Sequence, residues 1–279
     1  MNLRKAQQQA IHAARCVGKI LRQNLMLPKR ADAMTQHDIK LELDVRCQNL
    51  IRRSLHAAFP EISFLGEEGV PEDTQGEFRW VVDPIDGTVN YAYGLPHACV
   101  SIALQQKVQP LGSKSRRDPA VYPDGYKTLL GIIHDPFRDE LWTAALDKPA
   151  QLNGKTIHVS KRGKLADSIV TMGLSKTPEH LQATLPVLSR VARRVRKVRI
   201  LGAAALDLAY VATGRFDGFM EQGIRLWDIA AGALIVENAG GTLFREKIPG
   251  DHAYRLIASN GLLQNELRAL GKKSRFNLD

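Results

Sequence analysis

Trp80-Val81-Val82-Asp83-Pro84-Ile85-Asp86-Gly87-Thr88-Val89-Asn90-Tyr91 begins as an apolar strand and ends in a polar, glycine-bearing turn. The Trp-Val-Val run reads as a buried strand. Pro84 has no backbone N–H to give to a ladder, so the strand is expected to end there. Asp83 and Asp86 would then flank an exposed turn. Two carboxylates converging on one point repel each other unless a cation lies between them, and oxygen ligands suit a hard divalent ion such as Mg²⁺. The carbonyl of Ile85, freed from sheet pairing, is a further candidate ligand. A helix starting at Gly87-Thr88 would leave N–H groups without intrahelical partners, which makes an anion site. Metal ligands followed directly by a phosphate cradle point to phosphoryl chemistry. The plainer reading is an Asp-rich β-turn, since Asp, Pro and Gly all favour turns.

Two segments outside this stretch shift the balance. Phe64-Leu65-Gly66-Glu67-Glu68-Gly69 places an acidic pair at the end of a short strand, Ile62 to Leu65. Trp227-Asp228-Ile229-Ala230-Ala231-Gly232 precedes Ala239-Gly240-Gly241. In chain order the three segments read GEE, DPIDGTxNY and WDxAAG…AGG. Together they resemble the inositol monophosphatase family, within the wider group of Mg²⁺-dependent, lithium-sensitive sugar phosphatases. The likeness runs from the first helix to about Asn260.

The resemblance implies a layered α-β-α-β-α sandwich. It implies two Mg²⁺ ions, with a third usual in relatives near Glu67. Glu67, Asp83 and the Ile85 carbonyl would hold the first ion; Asp83, Asp86 and Asp228 the second; Glu68 would stand behind them. Thr88, oriented by Asp44, and Glu67 would position a metal-activated water for in-line attack on phosphorus. The N–H groups of Gly87 and Thr88, beside Asp86 and Asp228, would cradle the phosphate. Gly202, Ala203, Ala204 and Glu221 would line the alcohol pocket. Read without the resemblance, Asp44 and Asp228 are helix N-caps, and Glu221 is a surface residue just after the strand Phe216 to Met220. Relatives often carry Ser or Thr at the position of Ala203, which weakens the case for inositol specifically. Relatives directed at 3′-phosphoadenosine 5′-phosphate usually have a glutamate directly before the WD pair, where this chain has Leu226. Arg225 could approach a second phosphate, which leaves a fructose bisphosphatase open, as is a histidinol phosphatase. Lys40, between Asp38 and Asp44, would reach phosphate or water. Relatives are commonly homodimers.

The first half, 1–150, carries the GEE and DPIDGT motifs. Leu3, Ala6, Ala10, Ala14, Val17, Ile20 and Leu21 recur at helical spacing, and Lys29 to Glu42 reads as a loop or short hairpin. The second helix follows Asp44. Strands at His97 to Leu104, Leu129 to His134 and Glu140 to Ala144 continue an antiparallel meander. Gln105 to Lys127 is longer than the turn usual in relatives and is expected to be an exposed insertion. His134 reads as a strand end rather than a ligand. The second half, 151–279, alternates strands and helices after the Asn153-Gly154 hairpin, which indicates an α/β layer. The site is expected in the cleft between the halves.

The 39 basic and 29 acidic residues leave a net charge of +10, which favours anionic partners. The densest basic run, Arg190 to Arg199, reads as a solvated helix face leading into a strand. No recognisable nucleic-acid-binding motif accompanies it, and the partner the resemblance implies is a phosphorylated polyol or sugar. A non-catalytic RNA- or protein-binding module is the alternative. Cys16, Cys47 and Cys99 are odd in number and lack metal spacing, as in a cytoplasmic protein with reduced thiols. No apolar run is long enough to cross a bilayer, and the amino terminus lacks the apolar core of a signal peptide.

Overall fold

A computed structural model describes residues 1–29, 31–34, 39–69, 76–108, 120–174 and 177–272. Two helices form the first layer: α1 (Leu3–Asn24) and α2 (Glu42–Ala58). Between them, β1 (Ala31–Met34) and β2 (Ile39–Leu41) pair as a small antiparallel hairpin. The second layer is a seven-stranded sheet. It contains β3 (Ser63–Gly66), β4 (Phe78–Asp86), β5 (Cys99–Lys107), β6 (Tyr126–Asp135), β7 (Glu140–Ala145), β8 (Gln151–Leu152) and β9 (Lys155–Thr156), side by side in that order. β4 to β7 form the expected antiparallel meander, and β3 joins β4 in parallel. The sheet is covered on both faces, which is why its central strands read as continuous apolar runs rather than alternating ones.

β4 runs on through Pro84 to Asp86 instead of stopping before it. The register against β5 shifts between Asp83, opposite Ser101, and Asp86, opposite Cys99. One extra residue on β4 makes a bulge, where proline's missing N–H costs no ladder bond. A short helix, α3 (Thr88–Ala92), follows at once.

The other half builds a five-stranded sheet from β10 (Ile169–Met172), β11 (Lys197–Arg199), β12 (Gly218–Arg225), β13 (Thr242–Lys247) and β14 (Ala253–Ser259), in the order β11-β10-β12-β14-β13. Its outer face carries α4 (Pro178–Ala192) and α7 (Gln264–Gly271) around Val170, Met172, Met220 and Leu267. Sandwiched between the two sheets lie α5 (Ala204–Ala212) and α6 (Leu226–Asn238), almost wholly buried. These helices are apolar all round because both sides face sheets. The approach is close: a Cβ on Gly131 of β6 would come within 2.6 Å of the Ala231 carbonyl of α6. The result is five layers, α-β-α-β-α, as the resemblance implied. The buried core around α5 and α6 draws residues from both sheets.

The segment between β5 and β6 departs from the expected exposed insertion. Residues 109–119 lie outside the described part. Tyr122, however, is only 2% exposed and packs edge-on against Tyr254 of the other sheet, ring centroids 5.9 Å apart. Arg245 stands over the same ring at 4.2 Å. Asp124 pairs at 2.6 Å with Arg79, itself 1% exposed. One aromatic ring and one carboxylate therefore anchor a stretch whose average composition reads as loop. Tyr122→Ala is expected to cost about 3 kcal/mol, measured by denaturant unfolding; a loss under about 1 kcal/mol would mean that the ring is not a clasp.

Candidate active site

Along a strand, Asp83 and Asp86 would face opposite ways. The bulge at Pro84 adds the one residue that returns them to the same side. They are buried, at 2% and 7% exposure, not on an exposed turn. The Asp83 carboxylate accepts the N–H of Ile85 at 2.9 Å. Asp86 points at the start of α5, accepting from the N–H groups of Ala204 (3.2 Å) and Ala205 (2.7 Å), which have no intrahelical partner. Cys99 lies 3.6 Å from the same carboxylate.

Asp228 comes from the other half. It is the third residue of α6, not its N-cap, and its carboxylate accepts the N–H of Arg225, the residue that is the cap. Asp44 repeats this arrangement on α2, accepting the Leu41 N–H at 2.8 Å. In both cases the carboxylate reaches back to the N-cap's own N–H. Asp83, Asp86 and Asp228 each bring an oxygen within 4.8 Å of the others. Glu67 follows β3, its N–H bonded to the Val82 carbonyl at 3.1 Å, and its side chain hydrogen-bonds Asp83.

Burial, then the charges of Glu67, Asp86 and Asp228, push the Asp83 carboxyl well above the usual range. Burial also raises Asp86, to about 6, against the opposing pull of the Ala204 and Ala205 N–H groups. Hard oxygen donors from both halves, crowded where they raise one another's proton affinity, fit a divalent cation.

Gly87 is left-handed, φ 92°, and a Cβ there would lie 2.8 Å from the His97 carbonyl. Its conformation folds Thr88 back, so the hydroxyl donates to the Ile85 carbonyl at 2.8 Å. The expected bond from Thr88 to Asp44 is thus replaced by a local turn bond, three residues back along the chain. Gly87→Ala is expected to lose about 1–3 kcal/mol of stability through that strained backbone, and at least about tenfold in turnover as the cradle shifts. Denaturant melts and phosphate release check both; unchanged turnover would detach Gly87 from the site.

Gly202, Ala203 and Ala204 lie at the entry to α5. Glu221 lies inside β12, which extends to Arg225, and not after a strand end; its carboxylate packs over Gly173. The Arg225 guanidinium donates to the Asp251 carbonyl. The side chain of Lys40, like Asp38, lies outside the described part. Several residues here have roles that the sequence did not assign. Asn90 donates to the carbonyls of His97 (3.0 Å) and Leu201 (2.8 Å), tying α3 to the α5 entry. Ser101 donates to the Trp227 carbonyl at 3.1 Å, joining β5 to the start of α6. Gln48 accepts the Glu68 N–H at 2.9 Å. Asp207 is buried on α5; burial first, then the charges of Asp86 and Glu221, hold its carboxyl well above the usual range. Asn90 stands within DPIDGTxNY, but its tie to the Leu201 carbonyl, like the contacts of Ser101 and Asp207, joins segments remote in the chain and is set only by folding.

A buried cluster of carboxylates able to take a divalent metal, beside a helix N-terminus, defines the active site of a metal-dependent phosphatase. The profile of the Inositol monophosphatase family matches residues 2–113 and 121–271, the gap falling within the segment between β5 and β6. The chain belongs to that family. It is 36% identical over 233 residues to an inositol-1-monophosphatase of Rhizobium meliloti, covering 82% of this chain and 77% of that one. It is 34% identical over 254 residues to the Nus factor SuhB of Escherichia coli, covering 90% and 88%. The solved structure of the extragenic suppressor protein SuhB from Bartonella henselae superimposes with a TM-score of 0.82 at 32% identity, covering 96% and 98%. Among the described residues no helix is long and apolar enough to cross a membrane.

Proposed function

We propose that this phosphatase hydrolyses inositol 1-phosphate, or a closely similar polyol phosphate, with Mg²⁺ as its metal. The observation that carries the reading is the meeting of Asp83, Asp86 and Asp228 within 4.8 Å, from two halves of the chain, beside Glu67. In this reading Glu67, Asp83 and the Ile85 carbonyl hold one ion, and Asp83, Asp86 and Asp228 a second, with a third site beside Glu67. Divalent ions held there would lower the pKa of the attacking water and stabilise charge on the leaving oxygen.

The chain's own groups supply the rest. The N–H groups of Gly87 and Thr88, at the first turn of α3, receive the non-bridging phosphate oxygens. Glu67 and Thr88 orient the water and Glu67 takes its proton; the Thr88 hydroxyl is held by the Ile85 carbonyl, and Asp44 by the N-cap N–H of α2. The Ala204 and Ala205 N–H groups hold Asp86 in place. Gly202, Ala203 and Glu221 face the alcohol; Glu221 hydrogen-bonds hydroxyl groups and so penalises alcohols that lack them. Arg225 turned toward Asp251, and Leu226 before the WD pair, speak against bisphosphate and nucleotide substrates. The reading includes a cytoplasmic homodimer and competition between Li⁺ and Mg²⁺.

Phosphate release tests this with inositol 1-phosphate, fructose 1,6-bisphosphate, histidinol phosphate and 3′-phosphoadenosine 5′-phosphate. Inositol 1-phosphate is expected to give the highest kcat/KM, with inhibition by millimolar-scale lithium. A preference for another member, or indifference to lithium, would reassign the substrate.

A further inference from the structure

Arg190 to Arg199 is the densest basic run of the sequence, and Arg193, Arg194 and Lys197 within it are exposed without an ion pair to any described residue; a second and longer concentration of such charge lies in the outer helical layer. Arg196 pairs with Asp167 at 2.7 Å, and Arg190 donates to the carbonyls of Leu270 and Lys272. The outer layer is different. α1 contains no Asp or Glu in 22 residues. Its inner face, from Ala6 and Ala10 to Val17 and Leu21, is buried on the sheet. Its outer face presents Arg4, Gln8, His12, Arg15, Lys19 and Arg22, all exposed and spaced by three or four residues, so they form one stripe. At 1.5 Å per residue the stripe runs along a helix about 33 Å long.

α2 lies antiparallel beside it. Lys5 stands over Phe59 at the far end of α2, and Gln9 donates to the Ser54 carbonyl at 2.9 Å. α2 adds exposed Arg46, Asn49, Arg53 and His56 on the same outward side, and Glu42 is the only exposed acid on either helix. A furrow of about 480 Å³ runs along α2, lined by Glu42, Val45, Arg46, Asn49, Leu50 and Arg53. Arg4, Arg15, Lys19, Arg46 and Arg53 make no ion pair or side-chain hydrogen bond with any described residue.

The chemistry of the face selects its partner. A protein interface is organised around buried apolar or aromatic anchors; here Val45 is the only large apolar side chain exposed on the two helices. Single-stranded nucleic acid is held by bases stacked on aromatic rings, and neither helix exposes a Trp, Tyr or Phe. A hydrophilic, cationic surface without anchors or stacking platforms suits a regular array of phosphates. We propose that the outer face of α1 and α2 binds the phosphate backbone of double-stranded nucleic acid without reading its sequence. Asp86 and Asp228 lie against α5 and α6, across the sheet layer from this surface, and none of Arg4, Arg15, Lys19 and Arg53 is in the first turn of α2 that holds Asp44, so this surface works independently of phosphate hydrolysis.

The full-length enzyme is titrated against a ~20 bp RNA duplex and a DNA duplex of the same sequence by fluorescence anisotropy, from ~50 to ~200 mM salt. Four phosphate contacts predict that log K falls with log salt at a slope of about −3.6. The variant R4E/R15E/K19E/R53E is expected to weaken binding at least about tenfold and flatten the slope, with kcat for phosphate release unchanged. R4Q/R15Q/K19Q/R53Q, a gentler change to the same exposed positions, should fall between. R193E/R194E should bind as the parent does. Preference for RNA or for DNA identifies the source of the duplex. The proposal is overturned if neither duplex binds at ~50 mM salt, if the α1–α2 variants bind normally, or if R193E/R194E is the one that loses binding. Tighter binding to polyglutamate or to anionic vesicles than to either duplex overturns it as well.

Discussion

Asp83→Asn is expected to reduce kcat by more than about 100-fold, a bound set by the 10–100-fold losses seen when mere partners of metal ligands are removed. Asp83 is the group on which the charges of Glu67, Asp86 and Asp228 all act. In the proposed mechanism it is shared by both ions, so its loss disturbs both at once. Asparagine retains the shape of the side chain and an oxygen for the Ile85 N–H, 2.9 Å away in the parent. The variant should therefore fold, with circular dichroism and a melting transition like the parent's. Without metal it should melt no lower than the parent at neutral pH, because one member of a mutually repelling buried set has become neutral. Phosphate release at saturating Mg²⁺ decides the matter: turnover within about tenfold of the parent would remove Asp83 from the metal site.

The second large effect is on stability in the absence of metal. Asp83, Asp86 and Asp207 all bind their protons more tightly folded than unfolded. The folded state then holds protons that the unfolded chain has released, so stability falls as pH rises. For Asp86 the contribution is complete below the ordinary value of 3.8 and is lost as pH rises through about 6. For Asp83 and Asp207 the loss continues to higher pH. The melting temperature of the metal-free protein should thus decline from pH ~5 to pH ~8. Mg²⁺ should raise it by mass action, and by more at the alkaline end, because binding at low pH must first displace protons. Scanning fluorimetry with and without Mg²⁺ across that range measures both slopes. A metal increment that is absent, or equal at every pH, would contradict the coupling of these carboxyls to a cation.

Much of the site was legible because its parts are local. Gly66-Glu67-Glu68, Asp83 to Thr88 and Trp227-Asp228 each put a carboxylate at the end of a strand or the first turn of a helix, and such positions are readable from spacing. Pro84 misled for an equally local reason. It does end an ordinary ladder, but at a bulge the absent N–H is harmless, and the strand continues to Asp86. Gln105 to Lys127 read as loop because polar and turn residues outnumber the rest. The burial of Tyr122 depends on Tyr254 and Arg245, more than a hundred residues away. Asn90, Ser101 and Gln48 act on backbone groups, which carry no sequence signature.

By itself the sequence determined an antiparallel meander followed by an α/β layer through its apolar strands and amphipathic helices, while its three motifs, through the resemblance they carry, implied the five layers and the carboxylates of the candidate centre. It also set the excess of positive charge. Only the tertiary structure decided that a bulge turns Asp83 and Asp86 to one side, that α6 carries Asp228 across to meet them, and which cations stand without counter-charges among the described residues. The reason is physical: an amino acid's kind and spacing fix what it can do locally, whereas electrostatic work depends on distance and burial, and those exist only once remote segments have packed together.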